Sequence, residues 1–263
     1  MYDYCEAQEL EVDTLIHESG AAQMEINFLH GDAIDLADQV FLFKRTMREA
    51  AHRHGIYATF MAKPMSNEPG SAMHIHQSLE DMDGNNLFGT SEGGNSDLFM
   101  HFIAGLQKYT PAVTALLAPN VNSYRRLTFG ESAPRNVQWG VENRTCGLRV
   151  PFSEPSARRV ENRFAGADAN PYLALAATLA CGYLGMLEKL EPMQEMKASA
   201  YDLPYSLPRS LEESLSHLEQ CEPIKDMLGE RFIRAFVAVK RKEYETYFGV
   251  ISRWEREFLL LNV

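Results

Sequence analysis

Long apolar runs are missing from this sequence. No stretch reaches about 18 apolar residues without interruption, which is the length that an ordinary transmembrane helix needs. The first residues also lack the basic and then apolar pattern of a secretory signal peptide. We therefore expect a cytoplasmic protein that makes no membrane contact.

Cysteine is scarce, and the four cysteines show no paired spacing. Neither a disulfide framework nor a zinc knuckle fits residues that lie so far apart in the chain. We expect reduced thiols that pack as small buried hydrophobes. These residues are Cys5, Cys146, Cys181 and Cys221.

Positive charge is in deficit as well. The chain has 25 Lys and Arg against 36 Asp and Glu, a formal net charge of -11. No run rich in Lys or Arg opposes this trend, so nucleic acid is excluded as an expected partner. The phosphate-binding loops GxxxxGKS and GxxxxGKT are absent too, so a nucleotide would have to be held by other means.

The composition that remains is typical of one large globular unit. The chain has 263 residues, of which 45% are apolar, enough to bury a sizeable core. The coarse order is a β-hairpin, a helix, more strands and then helices. Residues 32–55 have the start signal, apolar spacing and terminal glycine of an amphipathic helix. Residues 173–187 follow Asn170 and Pro171, which predicts a capped, buried helix.

A polar hairpin is predicted near the N-terminus. Residues 12–18 and 23–29 alternate in polarity, and Ser19 and Gly20 supply a turn between them. Glu18 ends the first strand, and Glu25 lies early in the second, on the face opposite its apolar residues. The two carboxylates could converge on a ligand near the turn. An ordinary solvated polar face is the alternative.

Two histidines stand two residues apart in the stretch GSAMHIHQSL, residues 70–79. Residues 57–62 before it are rich in strand-forming types, and a loop that starts at Lys63 and Pro64 separates the two. If residues 72–79 form a strand, His74, His76 and Ser78 lie on its polar face. Such a face suits a ligand or phosphate site, although structural histidines fit it equally well.

Arginines concentrate in the middle of this acidic protein. In RRVENRF, residues 158–164, alternation places Arg159, Glu161 and Arg163 on one face. Four more arginines lie just upstream, at Arg125, Arg126, Arg144 and Arg149.

Arginine is the planar, bidentate partner of phosphate and carboxylate groups. A ladder of cross-strand salt bridges would explain either arginine motif taken singly. Together with the glutamates and histidines, however, the arginines favour a site for metal and nucleotide. Oxygen and imidazole groups would bind divalent cations there, and arginines would bind a phosphoryl group.

Five segments carry a family resemblance. In this order along most of the chain, they resemble the catalytic domain of the glutamine synthetase superfamily, and more closely its gamma-glutamylpolyamine synthetase branch. The resemblance implies an α+β fold, in which helices surround an antiparallel sheet shaped as a partial barrel, and assembly into homo-oligomeric rings. The segments are HESGAAQMEINF, KPMSNEPGSAMHIHQSL, NSYRRL, NRTCGLRVP and ARRVENRFAGADANPYLALAA.

The resemblance also implies site residues and two or three bound Mg²⁺ or Mn²⁺ ions. Metal ligands would be Glu18 and Glu25 near the amino-acid substrate, and His74 and Glu161 near the ATP phosphates. Glutamate would be held by Gly70, Arg126 and Arg163, and ATP by His76, Ser78, Arg149 and Arg159, with Arg144 as a catalytic arginine beside the phosphates.

The implied reaction has two steps and three substrates: ATP, glutamate, and an amine or ammonia. ATP phosphorylates the glutamate side chain, and the amine then displaces phosphate to form a gamma-amide. In ammonia-using members a glutamate closes over the site, but here Ser132 takes that position and Glu131 falls one residue early. This difference favours a primary amine or polyamine. An ammonia-using glutamine synthetase and a noncatalytic nucleotide-binding protein are the alternatives.

The resemblance also predicts how the chain divides. The family has an N-terminal β-grasp domain, and its catalytic domain opens with a strand that carries two more metal-binding glutamates. Neither feature precedes Met1 in this sequence. We therefore expect residues 1–263 to form the C-terminal part of a catalytic domain and to be catalytically incomplete in isolation.

Overall fold

The computed structural model describes residues 1–129 and 132–263. Helices and short strands are mixed along the chain, which confirms the predicted α+β class. The helices are α1 (Tyr2–Glu6), α2 (Ala33–Arg53), α3 (Asp97–Leu117), α4 (Val121–Phe129), α5 (Pro171–Leu187), α6 (Leu211–Gln220), α7 (Glu222–Leu228), α8 (Glu230–Phe248) and α9 (Arg253–Phe258). The strands are β1 (Val12–His17), β2 (Met24–Phe28), β3 (Ile75–Gln77), β4 (Trp139–Val141), β5 (Leu148–Val150) and β6 (Val160–Asn162).

The strands form two small sheets. One is the antiparallel pair β1 and β2, and the other has the order β3-β6-β5-β4. In the larger sheet β6 pairs antiparallel with both β3 and β5. The pairing of β4 with β5 is parallel, unlike the antiparallel sheet that was expected. The short connection at residues 142–147 returns the chain to the start of β4, and Glu142 takes a left-handed conformation there, with φ of 50°.

The predicted hairpin is confirmed. Its strands lie within the predicted ranges, and the turn is closed by a hydrogen bond of 3.0 Å from the Gln23 N–H to the Gly20 carbonyl. Ile26 and Phe28 pack into a small core, as the alternation predicted. Met24 on the same face is 42% exposed, so the buried part of the face begins after it.

The predicted helix at residues 32–55 is confirmed as α2. The Asp32 carboxylate caps it by accepting hydrogen bonds from the N–H groups of the first turn, and Gly55 follows its end with φ of 71°. Phe43 and Met47 are buried, whereas Phe41, which the pattern placed on the apolar face, is 55% exposed. Its ring lies beside that of Tyr172 instead, 6.1 Å away.

Residues 57–62 do not form the strand that their composition indicated. Ala58 and Phe60 instead pack irregularly against the small core. This small core is built on Cys5, Leu10, Phe43 and Met47, where α1, the hairpin and α2 meet. A larger core fills the space between the four-stranded sheet and helices α3 to α8.

All four cysteines are free thiols, as predicted, and Cys5, Cys146 and Cys181 are buried. None of the helices in the described part of the chain has both the length and the hydropathy that crossing a bilayer requires.

The larger core is organised by two crossing helices. α5 begins at Pro171, and its cap, the Asn170 side chain, accepts a hydrogen bond of 3.2 Å from the Leu173 N–H, as predicted. α3 lies against α5 but was not indicated by the sequence patterns, because it is apolar on most of its faces and contains Pro111. Where the helices cross, glycines bring the backbones together: a Cβ on Gly105 would lie 2.2 Å from the Cys181 carbonyl oxygen.

This crossing yields a stability prediction. Gly105→Ala should lower the free energy of unfolding by about 2 kcal/mol, because the new Cβ overlaps backbone that no side-chain rotation can move. Gly31→Ala is the control, since a Cβ there meets nothing within 4 Å. Urea unfolding of both variants measures the difference. Equal midpoints for the two variants would show that the crossing tolerates a methyl group.

Candidate active site

A row of side chains crosses the larger sheet. The register places His76 of β3 directly opposite Glu161 of β6, and Arg149 of β5 opposite the same glutamate from the other side. The strand covers only residues 75–77 of the predicted 72–79, with Ile75 and Gln77 buried and His76 exposed, as the predicted faces require. His74 lies just before the strand and also reaches Glu161.

Glu161 is the centre of this row. Its side chain is only 3% exposed, and its two oxygens accept bonds of 2.7 Å from Arg149 Nη1 and Arg163 Nη1. His74 Nδ1 lies 3.1 Å from the carboxylate. Burial alone would raise the pKa of Glu161, but the His74 hydrogen bond and the two arginines outweigh it and hold the pKa well below its usual range. The group is therefore a buried carboxylate that stays ionised near neutral pH.

His74 and His76 differ in the hydrogen bonds of their rings. Desolvation lowers the pKa of both, to about 4 for His76, so both are neutral near pH 7. His74 uses Nδ1–H to donate to Glu161, which leaves a lone pair on Nε2. His76 uses Nδ1 to accept a bond of 3.2 Å from Arg159 Nε, which leaves a proton on Nε2. One ring therefore presents a metal-type acceptor, and the other presents a donor suited to an anion.

Arg149 joins two carboxylates. Besides Glu161, it donates a bond of 2.8 Å from Nη2 to Glu142, whose other oxygen accepts from the Phe152 N–H at 2.6 Å. The Nε atoms of Arg149 and Arg163 are buried and have no hydrogen-bond partner within the described residues. Glu142 was missed by sequence reasoning, because it reaches the site only through the tight connection between β4 and β5.

The hairpin brings the carboxylates of Glu18 and Glu25 together. Glu18 and Glu25 are close enough to share a hydrogen bond, and burial followed by this contact raises the pKa of Glu25. The charge of Glu161 acts in the same direction. Asn27 and the Ser19 N–H each donate to one carboxylate of the pair. Crowded carboxylates of this kind suit a cation, which would relieve their repulsion.

A loop joins the hairpin to the rest of the site. The Gln23 amide donates to the Gly70 carbonyl at 3.0 Å, and the Glu68 carboxylate accepts from the Ala21 N–H at 2.9 Å. A Cβ on Gly70 would lie 2.8 Å from the side chain of Arg126, so the glycine is required for packing. Sequence reasoning did not identify Gln23 or Glu68, because neither contact has a local sequence signal.

Arg126 is buried beneath the site. Its two Nη atoms donate to the carbonyls of Phe164 and Arg163, each at 2.9 Å, so the side chain braces the chain that leaves β6. Burial lowers its pKa to about 10, and the guanidinium is still charged at neutral pH. Contact between this residue and glutamate stays a prediction.

The other predicted residues lie at the edges of the site. Ser78 is exposed just after β3, and Arg144 is exposed in the connection between β4 and β5. Ser132, on which the choice of amine depends, is exposed, and Glu131 lies outside the described residues.

The carboxylate and imidazole groups of the site are of the types that bind hard divalent cations. Carboxylate oxygens and a neutral imidazole are suitable ligands, and Mg²⁺ commonly uses one or two carboxylates and completes its shell with phosphate oxygens and water. Across residues 1–129 and 132–263, however, no three His, Cys, Asp or Glu side chains converge on one point. The site therefore offers two pairs, Glu18 with Glu25 and His74 with Glu161.

Comparisons with known proteins show which sequences this chain is similar to. A glutamine synthetase of Pyrococcus abyssi is 39% identical over 95% of this chain and 58% of its own length. Gamma-glutamylputrescine synthetase PuuA of Escherichia coli K12 is 36% identical, over 99% of this chain and 56% of its own length. A glutamate–isopropylamine ligase of a Pseudomonas species is 36% identical, over 90% of this chain and 53% of its own length. Identity therefore does not separate the glutamine synthetase from the two other ligases.

Solved structures are similar to this chain as well. The structure of apo GmaS without ligand superposes with a TM-score of 0.89 at 33% identity, over 98% of this chain and 61% of that one. This chain spans less than two thirds of the length of the curated relatives named above. Residues 1–259 match the family described as glutamine synthetase, catalytic domain. The chain therefore belongs to the glutamine synthetase catalytic-domain family.

Proposed function

We propose that these residues serve an ATP-dependent ligase that joins an amine to the gamma-carboxylate of glutamate. The observation that carries the proposal is the buried Glu161 carboxylate with His74 on one side and two arginines on the other. Because the chain spans only part of its curated relatives, the activity is proposed for the whole enzyme to which these residues belong.

The four acidic and imidazole ligands would hold divalent cations, Mg²⁺ or Mn²⁺. One cation would be held by Glu18 and Glu25, and another by His74 and Glu161. Bound there, the cations would reduce the repulsion between ATP and the glutamate carboxylate. Glu161 stays ionised in this role, because its pKa is held far below neutral.

The remaining side chains are assigned to the phosphates and to glutamate. His76 presents Nε2–H to an ATP phosphate oxygen, together with Arg149, Arg159 and Ser78. Arg163 has a buried Nε without a partner in the described residues, a donor suited to the carboxylate or phosphoryl oxygens of the substrate. Arg144, which is exposed beside Glu142, is assigned to the transferring phosphoryl group.

The proposed reaction consists of two displacement steps. In the first, a glutamate carboxylate oxygen attacks the γ-phosphorus, and the bond from that phosphorus to the ADP oxygen breaks. In the second, the amine nitrogen attacks the acyl carbon, phosphate leaves with the C–O electron pair, and the nitrogen loses a proton. The carboxylate becomes a competent acyl donor only after phosphorylation supplies the leaving group.

For the acceptor we propose a primary amine or polyamine. An exposed Ser132 stands where ammonia-using members have a glutamate, so the anion that would hold ammonium is replaced by a short neutral side chain. The net charge of -11 favours the approach of a cationic amine. Ammonia is the second candidate, because the glutamine synthetases are at least as similar in sequence as the amine ligases.

We also propose a cytoplasmic, self-associating enzyme. Four free thiols suit a reducing compartment. Association into a homo-oligomer follows from the family resemblance.

The first functional prediction concerns Glu161. Glu161→Gln removes the charge that holds two arginines and a histidine, so Mn²⁺ affinity should fall on the order of tenfold or more. Turnover of ATP with glutamate and an amine should fall on the order of a hundredfold. Glu92→Gln, in an exposed loop, is the control. Manganese titration by electron paramagnetic resonance and a phosphate-release assay measure both effects; unchanged values for Glu161→Gln would remove the basis of the proposal.

The second functional prediction separates the two histidines. His74→Ala should weaken Mn²⁺ binding measured without nucleotide, because the free Nε2 lone pair is lost. His76→Ala should leave that binding unchanged and weaken ATP binding by about tenfold, the value of one charge-assisted hydrogen bond. Metal-only and ATP titrations of both variants supply the comparison. Equal losses of metal affinity would contradict the split.

The third functional prediction concerns the amine. With ATP and glutamate, kcat/KM for at least one of putrescine, spermidine, ethanolamine or a simple alkylamine should exceed that for ammonia at matched pH. Ser132→Glu restores an anion and should raise the ratio for ammonia over amines by about tenfold. If the native enzyme prefers ammonia to every amine and loses this preference on Glu131→Ala, it is a glutamine synthetase.

A further inference from the structure

Behind the row of site residues lies a buried polar network. Gln77 of β3 and Asn162 of β6 are 6% and 0% exposed, respectively. Each is the last residue of its strand and follows a site residue, His76 or Glu161, so alternation points the two amides to the opposite side, into the core. The inner side of the site therefore contains two amides that need hydrogen-bond partners in the core.

A single hydroxyl satisfies both amides. Thr178 of α5 is 1% exposed, and its Oγ1 accepts from Asn162 Nδ2 at 2.8 Å and from Gln77 Nε2 at 3.0 Å. The same oxygen donates its proton to Gln77 Oε1 at 2.8 Å. One donated and two accepted bonds use the full capacity of a hydroxyl. The Asn162 Oδ1 atom accepts from the Phe164 N–H at 3.0 Å.

The ladder between β3 and β6 is short. Its pairs are Ile75 with Asn162, His76 with Glu161, and Gln77 with Val160. Before β3 the pairing continues only through the isolated bridge of Ala72 with Gly166 and the backbone hydrogen bonds beside it. A slip of two residues would keep every side chain on its face. It would, however, move His76 away from Glu161 and separate Gln77 from Asn162, so that the Thr178 hydroxyl could no longer reach both amides. A buried amide left without a partner is costly, so the hydroxyl favours the observed register.

We propose that Thr178 is a positioning residue for the active site: its hydroxyl fixes the β3–β6 register and with it the geometry of His74, His76 and Glu161. It touches no substrate in this role and acts through Gln77 and Asn162. The consequence for metal and ATP binding rests on the proposed function, whereas the effect on the strands does not.

The test uses matched substitutions at two buried threonines. Thr178→Val keeps the volume and removes the hydroxyl, and Thr178→Ser keeps the hydroxyl. Thr110→Val is the control, because Thr110 is also 1% exposed but its hydroxyl has no partner within the described residues. If Thr178→Val does not fold, Thr178→Ala compared with Thr178→Ser isolates the hydroxyl with a smaller side chain.

The primary readout is amide hydrogen exchange of the purified chain, resolved by residue. In Thr178→Val, exchange within β3 and β6 should accelerate about tenfold or more while α3 keeps its protection. Thr178→Ser should restore the native rates, and Thr110→Val should leave them unchanged. Acceleration spread evenly over the chain, or a Thr178→Val profile that matches Thr110→Val, would overturn the proposal.

A second readout connects the strands to the site. Thr178→Val should weaken Mn²⁺ binding by about threefold or more, because a shift of well under an ångström misaligns a paired ligand set, and Thr178→Ser should recover it. Native Mn²⁺ affinity in a variant whose β3 and β6 exchange rapidly would overturn the positioning role. Failure of the native chain to bind Mn²⁺ would count against the proposed function, while the exchange result would still decide the register.

Discussion

A buried carboxylate that must be compensated is the constraint on which the site depends. Glu161 is almost fully shielded from water. An unpaired charge buried there would lower the stability of the fold on the order of several kcal/mol. Its partners come from different parts of the chain: His74 just before β3, Arg149 on β5 and Arg163 just after β6. The charge is stable only when all three are adjacent, so the strand order and the electrostatics of the site support one another.

The same face shows how neighbours give one residue type two chemistries. His74, just before β3, and His76, within it, lie two residues apart and are both neutral near pH 7. The carboxylate of Glu161 accepts a hydrogen bond from the first ring, and the guanidinium of Arg159 donates one to the second. The remaining nitrogen is an acceptor in the ring of His74 and a donor in the ring of His76. An acceptor suits a cation, and a donor suits an anion such as phosphate.

The two side-chain pairs of the site, Glu18 with Glu25 and His74 with Glu161, lie on different packed cores. Glu18 and Glu25 belong to a hairpin that packs on α2, whereas Glu161 lies on the sheet of the larger core. No continuous sheet joins them within the described residues. Their spacing is set by side chains that cross the boundary, chiefly Gln23 and Glu68, and by a bond of 2.7 Å from Lys44 of α2 to the Ala169 carbonyl. Side-chain hydrogen bonds, rather than backbone ladders, therefore control how far apart the pairs lie.

The amino-acid sequence by itself determined the parts that depend on neighbours in the chain. Caps and periodicity located α2, α5 and the hairpin, and alternation assigned the faces of His76 and Glu161, because these signals act within a few residues. The tertiary structure alone decided which strands pair. It placed β3 beside β6, made β4 parallel to β5, and recruited Glu142 and Thr178, none of which has a local signal. It also buried α3, whose apolar surface lacks a distinct face. These features follow from the need to pair charges and amides once they leave water, and that requirement exists only when distant segments have come together.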